Sequence, residues 1–237
     1  MDILVSFTGL IFVSPIILVF MVLIFLQDFK TPFYIADRVG LNNRKFKMIK
    51  LRSMLLNADA SGVDSTAADD RRITKIGKVV RKYKLDEITQ LFNVLIGNMS
   101  LVGPRPNVAR ETNLYSDQEK HLLTVKPGIT DFSSIVFSDE GDILKGSNDP
   151  DIDYNQLIRP GKNMLGLFYI RTSSVTLDIK LIFLTAYSIL SKEKALLYLI
   201  RILENLNAPK ELIVLSRRDQ PLIPMPPPGY ENIIRGR

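Results

Sequence analysis

The chain contains no cysteine and only one histidine, His121, among its 237 residues. The first absence excludes disulfides, thiolate metal sites and a cysteine nucleophile, and it fits a reducing compartment. The second excludes a cage of several histidines, and a serine–histidine triad with a histidine to spare. Acid–base or nucleophilic chemistry therefore falls mainly to Asp, Glu, Lys, Tyr, Ser or Thr. Charge is also missing over one long stretch, between Asp2 and Asp28. Elsewhere one sign is in excess: the formal net charge is +6, which points to an anionic partner such as nucleic acid, phospholipid or a phosphorylated metabolite. The length allows one large domain or two small ones, with a real core.

The apolar stretch, residues 3–26, is long enough for a membrane helix. It is a poor secretory signal, with no basic segment ahead of it and no small-residue cleavage site behind. Lys30 and Arg38 follow it, so the positive-inside rule places the bulk of the chain in the cytoplasm. Ser14-Pro15 falls near its middle. Proline removes a backbone donor and clashes with the preceding turn. In lipid the freed carbonyls need partners, and the Ser14 hydroxyl is the nearest. Hydropathy admits two topologies: a spanning helix with a tolerated proline, and a re-entrant helix–break–helix that enters and leaves on the cytoplasmic side.

Beyond the stretch, residues 30–56 are basic, and "KFKMIKLRSM" alternates enough to predict a short strand. Residues 57–70 are small, polar and acidic, the composition of a mobile loop. Helical spacing starts at Thr74 with Ile76, Val79, Val80 and Tyr83, and resumes over 85–96 with Ile88, Leu91, Phe92 and Leu95 on one face, ended by Gly97-Asn98. "LVGPRPN" reads as a rigid turn, 108–123 as a helix, and "KPGITDF" as a turn leading into a strand "SSIVF". Residues 177–190 and 194–206 read as core or interfacial helices. The end, "RDQPLIPMPPPGYENIIRGR", reads as an extended tail.

Chemistry concentrates in "YKLDEITQLFNVL", residues 83–95. Arg71, Arg72, Lys75, Lys78, Arg81, Lys82 and Lys84 precede two adjacent carboxylates, Asp86 and Glu87. The plain reading is a solvated or headgroup-binding basic face, followed by acids at a helix start where the macrodipole favours them. The functional reading is a phosphate cradle. Neighbouring helical residues point about 100° apart, so one of the pair can face another element. Nearby cations would lower both carboxylate pKa values and keep Asp86 ionised, fit to act as nucleophile or metal ligand. Arg105, fixed between two prolines in "GPRP", is a pre-ordered guanidinium suited to phosphate. His121, beside Leu122 and Leu123, reads as structural, and Tyr83 and Tyr115 as packing residues.

Together these segments resemble the monotopic polyprenyl-phosphate phosphoglycosyl transferases, the bacterial sugar transferase family. The matching stretches are Ser14-Pro15, "KMIKLRSM" (47–54), "DDRRITKIGKVVRKYKLDEITQLFNVLIGNMSLVGPRP" (69–106), "KPGIT" (126–130) and "LDIKLIFLTA" (177–186). The resemblance implies a mainly α fold with a few short strands. A re-entrant membrane helix over 1–29, broken at Ser14-Pro15, would precede a compact membrane-associated catalytic domain over 30–207 and a proline-rich extension over 208–237. The activity implied is transfer of a sugar 1-phosphate from a UDP-sugar to polyprenyl (undecaprenyl) phosphate with release of UMP. It would occur at the cytoplasmic face of the bacterial inner membrane, as the first membrane step of glycan assembly. Asp86 would attack the β-phosphorus to give a phosphosugar–aspartyl intermediate. Glu87 would assist as metal-site partner or base, and Asp86 and Glu87 would share Mg²⁺. Arg81, Arg105, Lys50 and Arg52 would surround the phosphates or nucleotide. The implied partners are the UDP-sugar, polyprenyl phosphate and the lipid bilayer, without nucleic acid; the sugar and the oligomeric state stay open. The chain departs from the pattern in three places, one of them the inserted stretch "DILKGSNDPDIDYNQLIRPGKN" (142–163). Lys84 stands where many members have a small polar residue, and "DFSSIVFSDEGD" replaces a Gly-Trp-Ala-Gln and Gly-Arg-Asn run, leaving Asp139 and Glu140 as candidate substitutes for its polar contacts. The reading from another class is a membrane-anchored basic adaptor that binds anionic lipid or nucleic acid, its carboxylates serving only as a cap.

Overall fold

Hydropathy and one proline shape the first element. The computed structural model describes residues 1–236 and forms a single helix, α1, over Asp2–Asp28. It is continuous through Ser14-Pro15, so the expected break is not a division into two helices. The reason is local: Pro15 leaves the Ile11 carbonyl without an amide donor, and the Ser14 hydroxyl donates to that carbonyl at 2.9 Å. Leu10, Ile17 and Ile24 form a buried stripe that packs with Leu51 and Val80. The other faces expose Ile3, Leu4, Phe7, Phe12, Leu18 and Val19, a band suited to lipid rather than water.

Both ends of α1 meet the same domain. At its C-terminal end the buried Arg52 forks onto Asp28 (2.5 and 2.7 Å) and donates to the Thr31 carbonyl at 2.8 Å. At its first turn Asp2 lies within electrostatic range of Asp178. Arg52→Ala should loosen the clamp: trypsin should cut at Lys30 faster in the detergent-solubilised variant than in the wild type, and equal cleavage rates would refute the clamp.

The predicted strand is β2 (Lys45–Leu51), which pairs antiparallel with β1 (Phe33–Val39), from Phe33 opposite Leu51 to Val39 opposite Lys45. The 57–70 loop is anchored rather than free, because Arg72 bonds Asp70 and the carbonyls of Ala58 and Val63. Thr74 caps α2 (Lys75–Lys82) by accepting from the Gly77 amide. The single helix expected over 85–96 is two short ones, α3 (Leu85–Ile88) and α4 (Leu91–Leu95). Thr89 sits between them, its hydroxyl directed to the carbonyls of Asp86 (3.1 Å) and Ile49 (3.0 Å), the kind of back-bonding that interrupts helices.

β3 (Ser100–Val102) and β4 (Gly128–Thr130) pair in parallel. They approach closely at the two motif glycines: a Cβ on Gly128 would lie 2.1 Å from the Gly103 nitrogen. The helix expected over 108–123 is divided into α5 (Ala109–Thr112) and a 3-10 turn, Glu119–Thr124. A capping box starts the second piece: Ser116 Oγ accepts from the Glu119 amide and Glu119 accepts from the Ser116 amide. "SSIVF" is not a strand. It lies in α6 (Phe132–Val136), because Asp131 caps the segment, accepting from the Ser134 amide (2.8 Å) and from the hydroxyls of Ser133 and Ser134.

The rest is helical: α7 (Glu140–Ile143), α8 (Pro150–Asp153), a π-turn (Tyr154–Ile158), α9 (Arg159–Thr172), α10 (Val175–Leu190), α11 (Lys192–Asn205) and α12 (Lys210–Arg217). The helices predicted over 177–190 and 194–206 are α10 and α11. Phe132, Ile135, Leu144, Ile158, Leu165, Leu181, Leu199 and Leu203 form the fully buried centre of the main core. Ala208 and Leu212 belong to it too, so the segment set apart from 208 onward is integral at its start. The proline-rich part is extended, as composition predicts, and folds back: Met225 N–H donates to the Gln156 carbonyl, and Tyr230 Oη donates to the Leu114 carbonyl.

Candidate active site

The basic run divides by geometry into two sets. Lys75, Lys78 and Lys82 are exposed, a solvated face, while Arg72 is tied to Asp70. Arg81 and Lys84 are half-buried beside the two carboxylates, and both act on Asp86 electrostatically. Helix α3, which carries Asp86 and Glu87, has four residues. So short a helix offers little macrodipole for two acids to cap.

Two side chains, Thr89 between the helices and Asn93 in α4, fix the pair against β2. The Thr89 hydroxyl reaches the Ile49 carbonyl, and Asn93 brackets the strand, accepting from the Ile49 amide (2.9 Å) and donating to the Lys47 carbonyl (2.6 Å). This docking brings Lys50 Nζ to 3.9 Å from Asp86 Oδ2 and 4.0 Å from Glu87 Oε1. Thr89 and Asn93, polar residues four apart and off the apolar face of 85–96, were the readable signal for this contact.

The two carboxylates are held differently. Arg105 forks onto Glu87 and donates to the Ile129 carbonyl. Its turn is locked to β4, since the Gly128 amide donates to the Pro104 carbonyl and the Gly103 amide to the Thr130 carbonyl. Burial alone would raise the pKa of Glu87, but Arg105 and Lys50 overcome it and lower the value to about 2. The Asp86 carboxylate accepts no hydrogen bond among the described residues, and its nearest ionic partner is Lys50. Burial pushes its pKa up, opposed by Lys50, so the lowering expected of both carboxylates holds for Glu87 and fails for Asp86, where burial outweighs the cations.

The structure brings Asp86, Glu87, Lys50, Arg81 and Arg105 together. It does not bring Arg52, whose fork is engaged on Asp28 at the end of α1. Arg105 is pre-ordered as expected, yet its fork faces Glu87. Asp139 pairs with Lys192 and Arg218, and Glu140 with Lys162, so both are engaged in ion pairs among helices. His121 is exposed, its ring against the Asp117 carbonyl, and Tyr115 is buried, as packing roles require. Tyr83 is exposed instead, with Lys82 over its ring. Sequence reasoning passed over the recess behind Arg105, lined by Asp131, Ser133, Tyr154, Lys162 and Asn163.

No cluster of three or more His, Asp or Glu side chains suited to a metal cage occurs among the described residues. Mg²⁺ is nonetheless commonly held by only one or two carboxylates, completing its shell with substrate oxygens and water. Asp86 and Glu87 fit that mode.

The family model described as "Bacterial sugar transferase" matches residues 1–192. A UDP-N-acetylgalactosamine-undecaprenyl-phosphate N-acetylgalactosaminephosphotransferase of Aeromonas hydrophila is 34% identical over 197 residues, covering 81% of this chain and 43% of its own length. A UDP-glucose:undecaprenyl-phosphate glucose-1-phosphate transferase of Klebsiella pneumoniae is 36% identical over 190 residues, 78% of this chain and 38% of that protein. A galactosyl transferase of Streptococcus agalactiae is 35% identical over 196 residues, with 78% and 40% covered. The chain thus spans less than half the length of these curated relatives.

Proposed function

The chain belongs to the bacterial sugar transferase family, and on that premise we propose that it moves a sugar 1-phosphate from a UDP-sugar to polyprenyl (undecaprenyl) phosphate, releasing UMP, at the cytoplasmic face of the bacterial inner membrane. The observation that carries the reading is the asymmetry of the pair: Glu87 is held by Arg105, while the Asp86 carboxylate accepts no hydrogen bond among the described residues and stands beside Arg81 and Lys50.

In the first step an Asp86 oxygen attacks the β-phosphorus of the donor. A bond forms between that oxygen and phosphorus, the bond to the bridging oxygen breaks, and UMP departs with the electron pair. In the second, an oxygen of the polyprenyl phosphate attacks the same phosphorus, which releases Asp86 and leaves the sugar on a polyprenyl diphosphate. Arg81 and Lys50 offset the phosphate charge, and Arg105 keeps Glu87 ionised and oriented. Mg²⁺, bound by Asp86 and Glu87 with the substrate oxygens, would supply further charge neutralisation.

The deciding measurement is UMP release by the detergent-solubilised chain with undecaprenyl phosphate, Mg²⁺ and a panel of UDP-sugars. Release with at least one donor, dependent on the lipid phosphate, is expected. No release with any donor would return the chain to the adaptor reading. Arg105→Lys keeps a charge but loses the two-pronged grip on Glu87, and UMP release should fall by roughly ten- to a hundredfold.

A further inference from the structure

We propose that Lys84 is a binding residue for the donor diphosphate, the cation that completes the open side of the cradle around Asp86; this rests on the donor reading above. The cations of the site fall into engaged and open groups. Arg105 is engaged with Glu87 and the Ile129 carbonyl. Lys162 is engaged with Glu140. Lys50 is shared between Asp86 and Glu87 at 3.9 and 4.0 Å. Lys84 has a single acceptor, the Ser134 carbonyl at 3.2 Å, and no carboxylate within 4.0 Å among the described residues. An ammonium carries three donors, and on this half-buried group beside Asp86 only one of them meets an acceptor within the chain among the described residues. The acceptor a cation in that position suits is an anionic oxygen, and the transferred group supplies several.

The backbone points the same way. Lys84 is left-handed (φ 52°, ψ 28°), a conformation L-residues other than Asn and Asp adopt with strain. At several other such positions the chain uses asparagine: Asn42, Asn43, Asn57 and Asn207. Local conformation alone would favour asparagine at 84 as well. Strained residues persist where the surroundings fix them, and they gather at functional sites. The left-handed turn is also what ends α2 and starts α3, setting the Lys84 side chain toward Ser134 with Asp86 two residues on.

That preference supplies a test that separates binding from folding. Lys84→Asn removes the cation while placing a residue tolerant of the backbone angle, and Lys84→Arg keeps a cation. UDP, which carries the diphosphate without the sugar, serves as the probe in calorimetric titrations of the full solubilised chain with Mg²⁺. Lys84→Asn should unfold at or above the wild-type temperature yet bind UDP at least about tenfold more weakly, with Lys84→Arg within about threefold of wild type. Wild-type affinity in Lys84→Asn would overturn the assignment. A loss of affinity that tracks a loss of thermal stability in both variants would also overturn it, by making the role structural. If the wild type fails to bind UDP, the donor reading falls and this inference with it. If Lys84→Asn binds UDP normally while the wild type releases UMP from a UDP-sugar, only the Lys84 assignment is lost.

Discussion

Asp86→Asn should reduce UMP release by at least about a thousandfold, because an amide cannot form the acyl phosphate on which the proposed two-step route depends. The fold should survive. The substitution is isosteric, and the carboxylate it removes accepts no hydrogen bond among the described residues. Thermal unfolding should be unchanged or improved, and the sign follows from burial. Burial raises the Asp86 pKa in the folded chain, so ionised Asp86 works against folding. That penalty is absent below the unfolded carboxylate range and develops as pH rises through the raised folded value. The stability advantage of the variant should therefore grow from acid toward neutral pH, while its activity stays absent throughout. UMP release and thermal unfolding, measured on the same preparations across that range, check both halves. Wild-type-like turnover would remove Asp86 as nucleophile. A collapsed fold would show that it has a structural duty the geometry does not reveal.

Much of this site was legible in the sequence because its parts are close together along the chain. Arg81, Lys84, Asp86 and Glu87 fall within seven residues, and Arg105 announces itself by the prolines on either side. Ser14 as the partner for the carbonyl that Pro15 frees was likewise a matter of i−3 and i−4 neighbours. What sequence reasoning missed was decided by tertiary partners or by single caps. Arg52 lies two residues from Lys50, but beyond the end of β2 it meets the end of α1 rather than the Asp86–Glu87 pair. "SSIVF" has the composition of a strand, yet one Asp131 carboxylate, bonded to an amide and two hydroxyls, starts a helix there. The 85–96 pattern is helical in its apolar spacing, and the Thr89 hydroxyl nevertheless divides it. Hydrophobic periodicity reports which face is buried. It does not report where a short polar side chain offers the backbone a competing bond.

The same blindness hides the most deeply buried ion pair among the described residues. Arg159, at the start of α9, is fully buried, and so is Glu119. The guanidinium reaches Glu119 through Nε (3.3 Å) and Nη2 (3.0 Å), Asn155 Oδ1 at 3.1 Å and the Leu114 carbonyl at 3.3 Å. Glu119 also accepts from Asn163 and from the Ser116 amide. Every charge in this cluster is answered, which is the condition under which a buried ion pair is tolerable. Removing one partner should be severe. Arg159→Met leaves Glu119 ionised in an apolar interior and should cost about 3–5 kcal/mol, a large part of the roughly 5–15 kcal/mol that holds a typical domain folded. Replacing both, Arg159→Met with Glu119→Gln, leaves no stranded charge and should recover most of the loss, since neutral, well-packed substitutes for buried pairs are often no worse than the pair. The site should register the damage as well: the π-turn and α9 carry Tyr154, Lys162 and Asn163, which line the recess behind Arg105. The expected pattern is a sharp drop in unfolding temperature and in UMP release for Arg159→Met, with both returning in the double variant. A single variant as stable as the wild type would show that the cluster is dispensable. A double variant no better than the single one would show that shape at Arg159, rather than charge pairing, is what α9 requires.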